Sequence, residues 1–162
     1  MHDNMAFMTA RLHAAGLDRT FSGLHNEIMS IFTERVSRFL PPACQQLNSP
    51  VLVDQWLDSM QATGEIIRLT SEGQVIGYLF VFPDGQLYRV GYVIAEASWG
   101  KGFATEAMQG LVEHLIQQQQ AEAFIAGVEP ENKGSINVLT KLGFVYAYNE
   151  QDIDYYRLTV NG

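Results

Sequence analysis

The sequence predicts an α+β domain of the mixed α/β kind, and three observations carry the prediction. Three strand-like runs, GEIIRLT (64–70), QVIGYLFVF (74–82) and LYRVGYVI (87–94), follow one another with only short turns between them. Two helical patterns precede them, and helical and strand-like patterns alternate after them. With 162 residues, 47% of them hydrophobic and 17% charged, the chain can bury one sizeable core. The expected organisation is a loose start over 1–8 and a single domain over 9–162.

Each element has its local reason. TARLHAAGL (9–17) can hold a short first strand. From Ser22 to Leu40, Leu24, Ile28, Ile31, Phe32, Val36 and Phe39 recur at helical spacing, and Pro41-Pro42 stops the helix. A second helix starts with Ser49 as N-cap and Pro50 in the first turn, with Val53, Trp56, Leu57 and Met60 as its apolar stripe. SEG and PDG then separate the three strands, with glycine available for positive φ. After 94 comes a helix whose stripe is Ala104, Ala107, Met108, Leu111, Val112, Leu115 and Ile116. EAFIAGV (122–128) reads as a buried strand, parallel to 87–94 through that crossover. Asn132 caps a last helix, Gly143 ends it, and FVYAYN and IDYYRLTV close the chain as strands.

Composition excludes several function classes. The net charge of −8 argues against a nucleic-acid binder, which needs a basic face. The single cysteine, Cys44, allows no internal disulfide and reads as a half-buried bystander. The four histidines are scattered without metal-ligand spacing, so no metal is expected. Without a basic leader followed by an apolar run, neither a signal peptide nor a membrane partner is expected, and the location predicted is cytoplasmic. Oligomeric state leaves no mark on the sequence.

The stretch EASWGKGFATEAM (96–108) places Gly100, Lys101 and Gly102 directly before a helix. Glycines allow close backbone approach, and a helix start offers unpaired N–H groups with a partial positive charge, so the pattern reads as a seat for phosphate. A plain loop-to-helix turn is the simpler alternative. A Walker A loop fails, because Gly102 follows Lys101 and Ala95 stands where the first glycine belongs. A dinucleotide fingerprint fails at Thr105, which replaces its third glycine, and the glycines stand off from the preceding strand. A third option is the pyrophosphate arm of coenzyme A.

At these residues the chain resembles a known family. GYVIAEASWGKGFATEA, followed after the next strand by NKGSINVLTKLGF, is similar to the GNAT N-acetyltransferase superfamily, and within it to the Rim-type branch that acetylates ribosomal-protein N-termini. The superfamily loop reads Q/R-x-x-G-x-G/A. The matching window runs from Trp99 to Ala104, with Trp99 replacing Gln or Arg. The resemblance covers roughly Gly64 to Val160. It implies a mostly antiparallel sheet with one splayed parallel pair, flanked by helices. It also implies an enzyme using acetyl-CoA, which moves the acetyl group directly to a primary amine of a small molecule or peptide.

The same resemblance assigns residues. The backbone of Gly100, Lys101, Gly102, Phe103 and Ala104 would take the pyrophosphate, with the Thr105 hydroxyl beside it; the Lys101 side chain either adds charge or is solvated. Gly91 interrupts a β-rich run, which suggests a bulge or a close neighbour. The backbones of Val93 and Ile94 would meet the pantetheine arm and the acetyl carbonyl. Asn132 would contact the cofactor and Ser135 would protonate the leaving thiolate; both also suit a helix first turn. Tyr146, Tyr148, Tyr155 and Tyr156 are alternatives as acid or are packing residues. Relatives often carry a glutamate base just before the GY of this strand, where this chain has Arg89. Glu96 and Glu129 are the remaining candidates for a base. A cation at Arg89, if it faced the acceptor, would favour α-amines over the more basic lysine amine. A non-catalytic acyl-CoA sensor on the same fold is the alternative function, and an enzyme for a longer acyl chain is a third.

Overall fold

A computed structural model describes residues 5–160. Its elements run β1 (Phe7–Met8), β2 (His13–Gly16), α1 (Leu24–Ile31), α2 (Glu34–Ser37), α3 (Pro50–Thr63), β3 (Glu65–Ser71), β4 (Gln74–Asp84), β5 (Leu87–Ile94), α4 (Phe103–Gln119), β6 (Ala123–Val128), α5 (Lys133–Lys141), β7 (Val145–Glu150) and β8 (Ile153–Thr159). The eight strands form one sheet in the order β1-β2-β3-β4-β5-β6-β8-β7. Every neighbouring pair is antiparallel except β5 and β6, which are parallel. Among the described residues, no helix is long and apolar enough to cross a membrane.

The fold class matches the expectation, with four local differences. Part of the loose start, residues 1–4, lies outside the described residues, while Phe7 and Met8 pair with Ala14 and His13 as a short edge strand. The helix expected over 22–40 is two helices. Phe32 leaves helical geometry, and Thr33 caps α2 by accepting a hydrogen bond from the Val36 N–H. After the break, Val36 of α2 packs in the same buried layer as Tyr78, Phe80 and Val93. Gly91 sits in regular register opposite Phe80, so there is no bulge there; the register shifts lie at Leu69/Thr70 and Tyr146/Tyr148. Cys44 is buried rather than half-buried, and burial pushes its thiol above the ordinary range.

Two apolar layers sandwich the sheet. Strand alternation in β5 distributes its side chains between them. Tyr88, Val90 and Ile94, with the partly buried Tyr92, join the core under α4 and α5. Val93 joins the layer under α1 and α3, with Tyr78 and Phe80 of β4. That second layer also holds a polar cluster: Arg68 makes a forked pair with Glu27 of α1, and the Tyr78 hydroxyl donates to the same carboxylate. A forked, charge-assisted pair fixes orientation as well as position, so it sets how α1 lies on the sheet.

The start of α4 is tied down from the edge of the sheet. Glu106, in the first turn of α4, accepts from the Thr9 hydroxyl, the Arg11 N–H at 2.8 Å and Arg11 Nε at 2.6 Å. Arg11 Nη1 then donates to the Lys101 carbonyl at 2.9 Å, and the guanidinium lies over the Phe103 ring. Desolvation opposes ionisation of Glu106, but the hydrogen bonds from Thr9 and Arg11 outweigh it and hold the carboxyl below its ordinary value.

Two outcomes follow from these contacts. A Cβ on Gly77 of β4 would lie 2.1 Å from the Val93 carbonyl oxygen, at a φ of +155°. Gly77→Ala therefore forces β4 away from β5 and should cost at least about 2 kcal/mol in urea unfolding; an unchanged midpoint would show that the strands part freely. Because the folded pKa of Glu106 is depressed, its stabilisation is complete above the unfolded carboxylate value and is lost as pH falls through the folded one. Glu106→Gln should thus melt lower than the parent chain at pH 7, and the gap should close progressively below about pH 4. A gap independent of pH would remove the carboxylate from this role.

Candidate active site

The site grows out of one break in the sheet. β5 and β6 pair through Leu87–Ala123, Tyr88–Phe124 and Arg89–Ile125 only. Beyond Arg89, β5 continues to Ile94 beside β4, while β6 continues to Val128 beside β8. A gap opens between the two strands. The Ala95 N–H points to β4, where it donates to the Ile76 carbonyl, and the Val93 carbonyl also points to β4, toward Gly77. Alternation along the strand then turns the backbone of Tyr92 and Ile94 toward the gap. Of the two residues expected to offer open amides, only Ile94 turns its backbone that way; Val93 contributes to the wall.

A cavity of about 680 Å³ occupies this gap. One wall is the glycine loop and the start of α4, from Gly100 to Thr105. Gly100 and Gly102 have φ of +75° and +80°, which side chains rarely adopt. Gly102 is the N-cap of α4 and brings no side chain to satisfy the first helical N–H groups. In α3 and α5, by contrast, Ser49 and Asn132 accept from such a group. Nothing lies within 4 Å of a Cβ built on Gly100. The Trp99 indole N–H donates to the Ile94 carbonyl at 2.8 Å, which pins the loop to the end of β5. Trp99 thus serves as a brace in the position where the family motif has Gln or Arg. Gly100, Gly102, Phe103, Ala104 and Thr105 all line the cavity, but Lys101 does not, and its carbonyl is held by Arg11 instead.

The opposite wall is the start of α5. Asn132 caps the helix through Oδ1, which accepts from the Ser135 N–H at 3.2 Å. Its Nδ2 simultaneously donates to Ser135 Oγ at 3.1 Å. The capping and functional readings of Asn132 are therefore compatible in one side chain. Ser135 Oγ also lies 2.7 Å from the Tyr92 hydroxyl, which reaches it from β5 across the gap. Burial raises the Tyr92 pKa above its ordinary value, and the contact with Ser135 only partly offsets this, so the phenol stays protonated at neutral pH.

Tyr92 is the residue that the sequence reasoning missed. Four other tyrosines drew attention, and all four pack against one another in β7 and β8, Tyr146 with Tyr156 and Tyr148 with Tyr155. The signal was alternation: counted from Tyr88 and Val90, Tyr92 shares their face, at the point where β5 loses β6. The expected bases are placed elsewhere. Glu96 pairs with Arg35 at 2.9 Å, and neither Glu96 nor Glu129 lines the cavity. Arg89 is exposed and also stands outside the cavity wall. The charged residues that do line it are Arg35 in α2, Arg38 just after it, and Lys141 of α5.

The comparisons agree with this geometry. Residues 19–145 match the acetyltransferase (GNAT) domain family. The chain is 35% identical over 68 residues to the uncharacterised N-acetyltransferase p20 of Bacillus licheniformis, a match covering 42% of this chain and 38% of the relative, so the aligned part spans less than half of that curated protein. It superposes on the crystal structure of a GNAT-family acetyltransferase from Bacillus anthracis with a TM-score of 0.81 at 18% identity, covering 98% of this chain and 100% of the other. It superposes likewise on Mycobacterium smegmatis RimJ in complex with a coenzyme A disulfide, with a TM-score of 0.78 at 18% identity, covering 93% of this chain and 82% of the other. A family match across most of the chain, a sheet with one splayed parallel pair and a glycine loop feeding an uncapped helix lead to one conclusion: the chain belongs to the GNAT acetyltransferase family.

Proposed function

We propose that the protein is an N-acetyltransferase that transfers an acetyl group from acetyl-CoA directly to a primary amine within a ternary complex. One observation carries the reading. The uncapped start of α4 and the Asn132–Ser135–Tyr92 cluster open into the same cavity, beside the N–H of Ile94. One end suits a pyrophosphate and the other suits a thioester.

Acetyl-CoA would supply the activated acyl group; the chain's residues would hold and polarise it. The N–H groups of Phe103, Ala104 and Thr105, with the positive end of the α4 dipole, favour a pyrophosphate by about 1–2 kcal/mol before individual hydrogen bonds are counted. Positive φ at Gly100 and Gly102 lets the backbone come close to it. The Ile94 N–H is positioned to donate to an acyl oxygen in the gap, where a preorganised donor resists reorientation. Ser135 then protonates the departing sulfur, held in place by Asn132. Arg35, Arg38 and Lys141 line the wall as cations that complement phosphate. Since Arg89 stands outside the wall, it lends the alternative sensor reading no support.

Coenzyme A should stabilise the protein by about 2.7 kcal/mol at a hundredfold excess over Kd, which is roughly 5–10 °C in Tm. Gly102→Asp should abolish that shift, because its carboxylate would repel the pyrophosphate; no shift in the parent protein would refute the reading. Ser135→Ala should bind coenzyme A normally yet lose about 10²–10⁴-fold in kcat, measured against a panel of peptides with free α-amines or free lysine amines. Normal turnover would return Ser135 to helix capping.

A further inference from the structure

We propose that Tyr92 is a positioning residue that relays its proton through Ser135 to the leaving thiolate. The inference rests on the acetyl-CoA reading of the cavity and goes beyond it by naming the source of the proton.

Hydrogen-bond capacity leads to this assignment. A serine hydroxyl has one proton to give and two lone pairs to fill. Asn132 Nδ2 can only donate, so it takes one lone pair of Ser135 Oγ at 3.1 Å. The Tyr92 hydroxyl lies 2.7 Å from the same oxygen. If Tyr92 donates, the second lone pair is filled as well, and the serine proton is left free for the cavity. If Ser135 donated to Tyr92 instead, its proton would be spent on a wall residue. A thiolate in the gap selects the first arrangement, because only that arrangement offers it a hydrogen bond.

Acidity points the same way. An alkyl hydroxyl is a far weaker acid than a phenol, even one such as Tyr92 whose pKa burial holds above the ordinary value of about 10. A serine left as an isolated alkoxide would be an expensive product. With the relay, the proton of Tyr92 moves to Ser135 Oγ as the serine proton moves to sulfur, so that serine ends neutral. The bond that forms joins the acceptor nitrogen to the acyl carbon, and the bond that breaks joins that carbon to sulfur. The phenolate left on Tyr92 is neutralised by the proton that the acceptor nitrogen sheds to water. The sum is amine plus thioester giving amide plus thiol.

The arrangement has structural support on both sides. Tyr92 is on β5 and Ser135 on α5, so the bond crosses the gap itself. The Tyr92 ring packs with the core under α4 and α5, which fixes its hydroxyl. Phenylalanine would keep that packing and lose only the hydroxyl.

The test reads the thiol of bound coenzyme A, independently of turnover. Thiolate absorbance near the far-ultraviolet edge is followed against pH for the coenzyme A complex, with desulfo-coenzyme A complexes as blanks so that tyrosine ionisation cancels. In the parent protein the bound thiol should ionise at lower pH than free coenzyme A, because a donor awaits the thiolate. Tyr92→Phe and Ser135→Ala should each raise that pKa by about one to two pH units, and the double variant should match Ser135→Ala alone, since Tyr92 acts only through Ser135. Ser135→Thr, which keeps a hydroxyl, should retain the low value. Coenzyme A affinity, measured calorimetrically, should change by less than about threefold in Tyr92→Phe. An unshifted thiol pKa in Tyr92→Phe, or additive shifts in the double variant, would overturn the relay while leaving coenzyme A binding intact. Failure of the parent protein to bind coenzyme A would overturn the underlying reading and the relay with it.

Discussion

Everything in this site depends on two strands that begin as neighbours and then part. β5 and β6 share only three paired residues before their directions separate. A continuous parallel sheet would have spent the backbone of Tyr92 and Ile94 on ladder bonds and closed the space between them. The divergence leaves polar backbone inside the protein without a strand partner, an arrangement that is costly unless something else uses it. Part of that cost is met internally, since Trp99 takes up the Ile94 carbonyl. The N–H of Ile94 faces the cavity. A sheet that gives up a short piece of ladder gains a slot with a donor already aimed.

The glycine loop needs an equally firm support, because two left-handed glycines on either side of Lys101 would otherwise be among the most mobile parts of the chain. Support comes from both sides. Trp99 fastens the loop to β5, and Arg11 fastens it to β2's approach and, through Glu106, to α4 itself. The small strands β1 and β2, minor in area, therefore have a purpose beyond extending the sheet: they carry the segment that grips the loop from outside. On the far side, the forked Glu27–Arg68 pair orients α1, and the break at Phe32–Thr33 then brings Arg35, Val36 and Arg38 to the cavity wall.

Much of this was legible in the sequence where local physics decides. Strand-like runs bounded by turn residues located β3 to β8, and period-3.6 stripes located α3 to α5. β4 and β6 carry continuous buried runs and β7 is exposed throughout, so composition and turn signals, not one-faced burial, marked the strands. Asn132 and Gly143 marked the ends of α5 through capping and positive φ. The glycine loop was visible because glycine at positive φ leaves a compositional trace. What was not legible depends on distant partners. The break in 22–40 has apolar residues on both sides and differs from a continuous helix only by Thr33 competing for an N–H. Gly91 suggested a bulge, yet the close approach belongs to Gly77 and Val93, a contact between strands that no single strand reveals. Tyr92 was hidden for the same reason: its partner is 43 residues away and meets it only because the sheet splits.

The cavity's charges have a consequence for how a ligand arrives. The chain carries eight more acidic than basic groups, yet three of its ten Lys and Arg residues, Arg35, Arg38 and Lys141, line this one cavity, and among the described residues no carboxylate does. A polyanion approaching from most directions meets repulsion. Within about 8–10 Å of the mouth, the screening distance at physiological salt, the lining cations counter that repulsion, Arg35 less than the others because it is paired with Glu96. Capture is thus a matter of bearing as well as affinity, and the surface at large turns away the nucleic acids and other polyanions that share a phosphate with the intended guest.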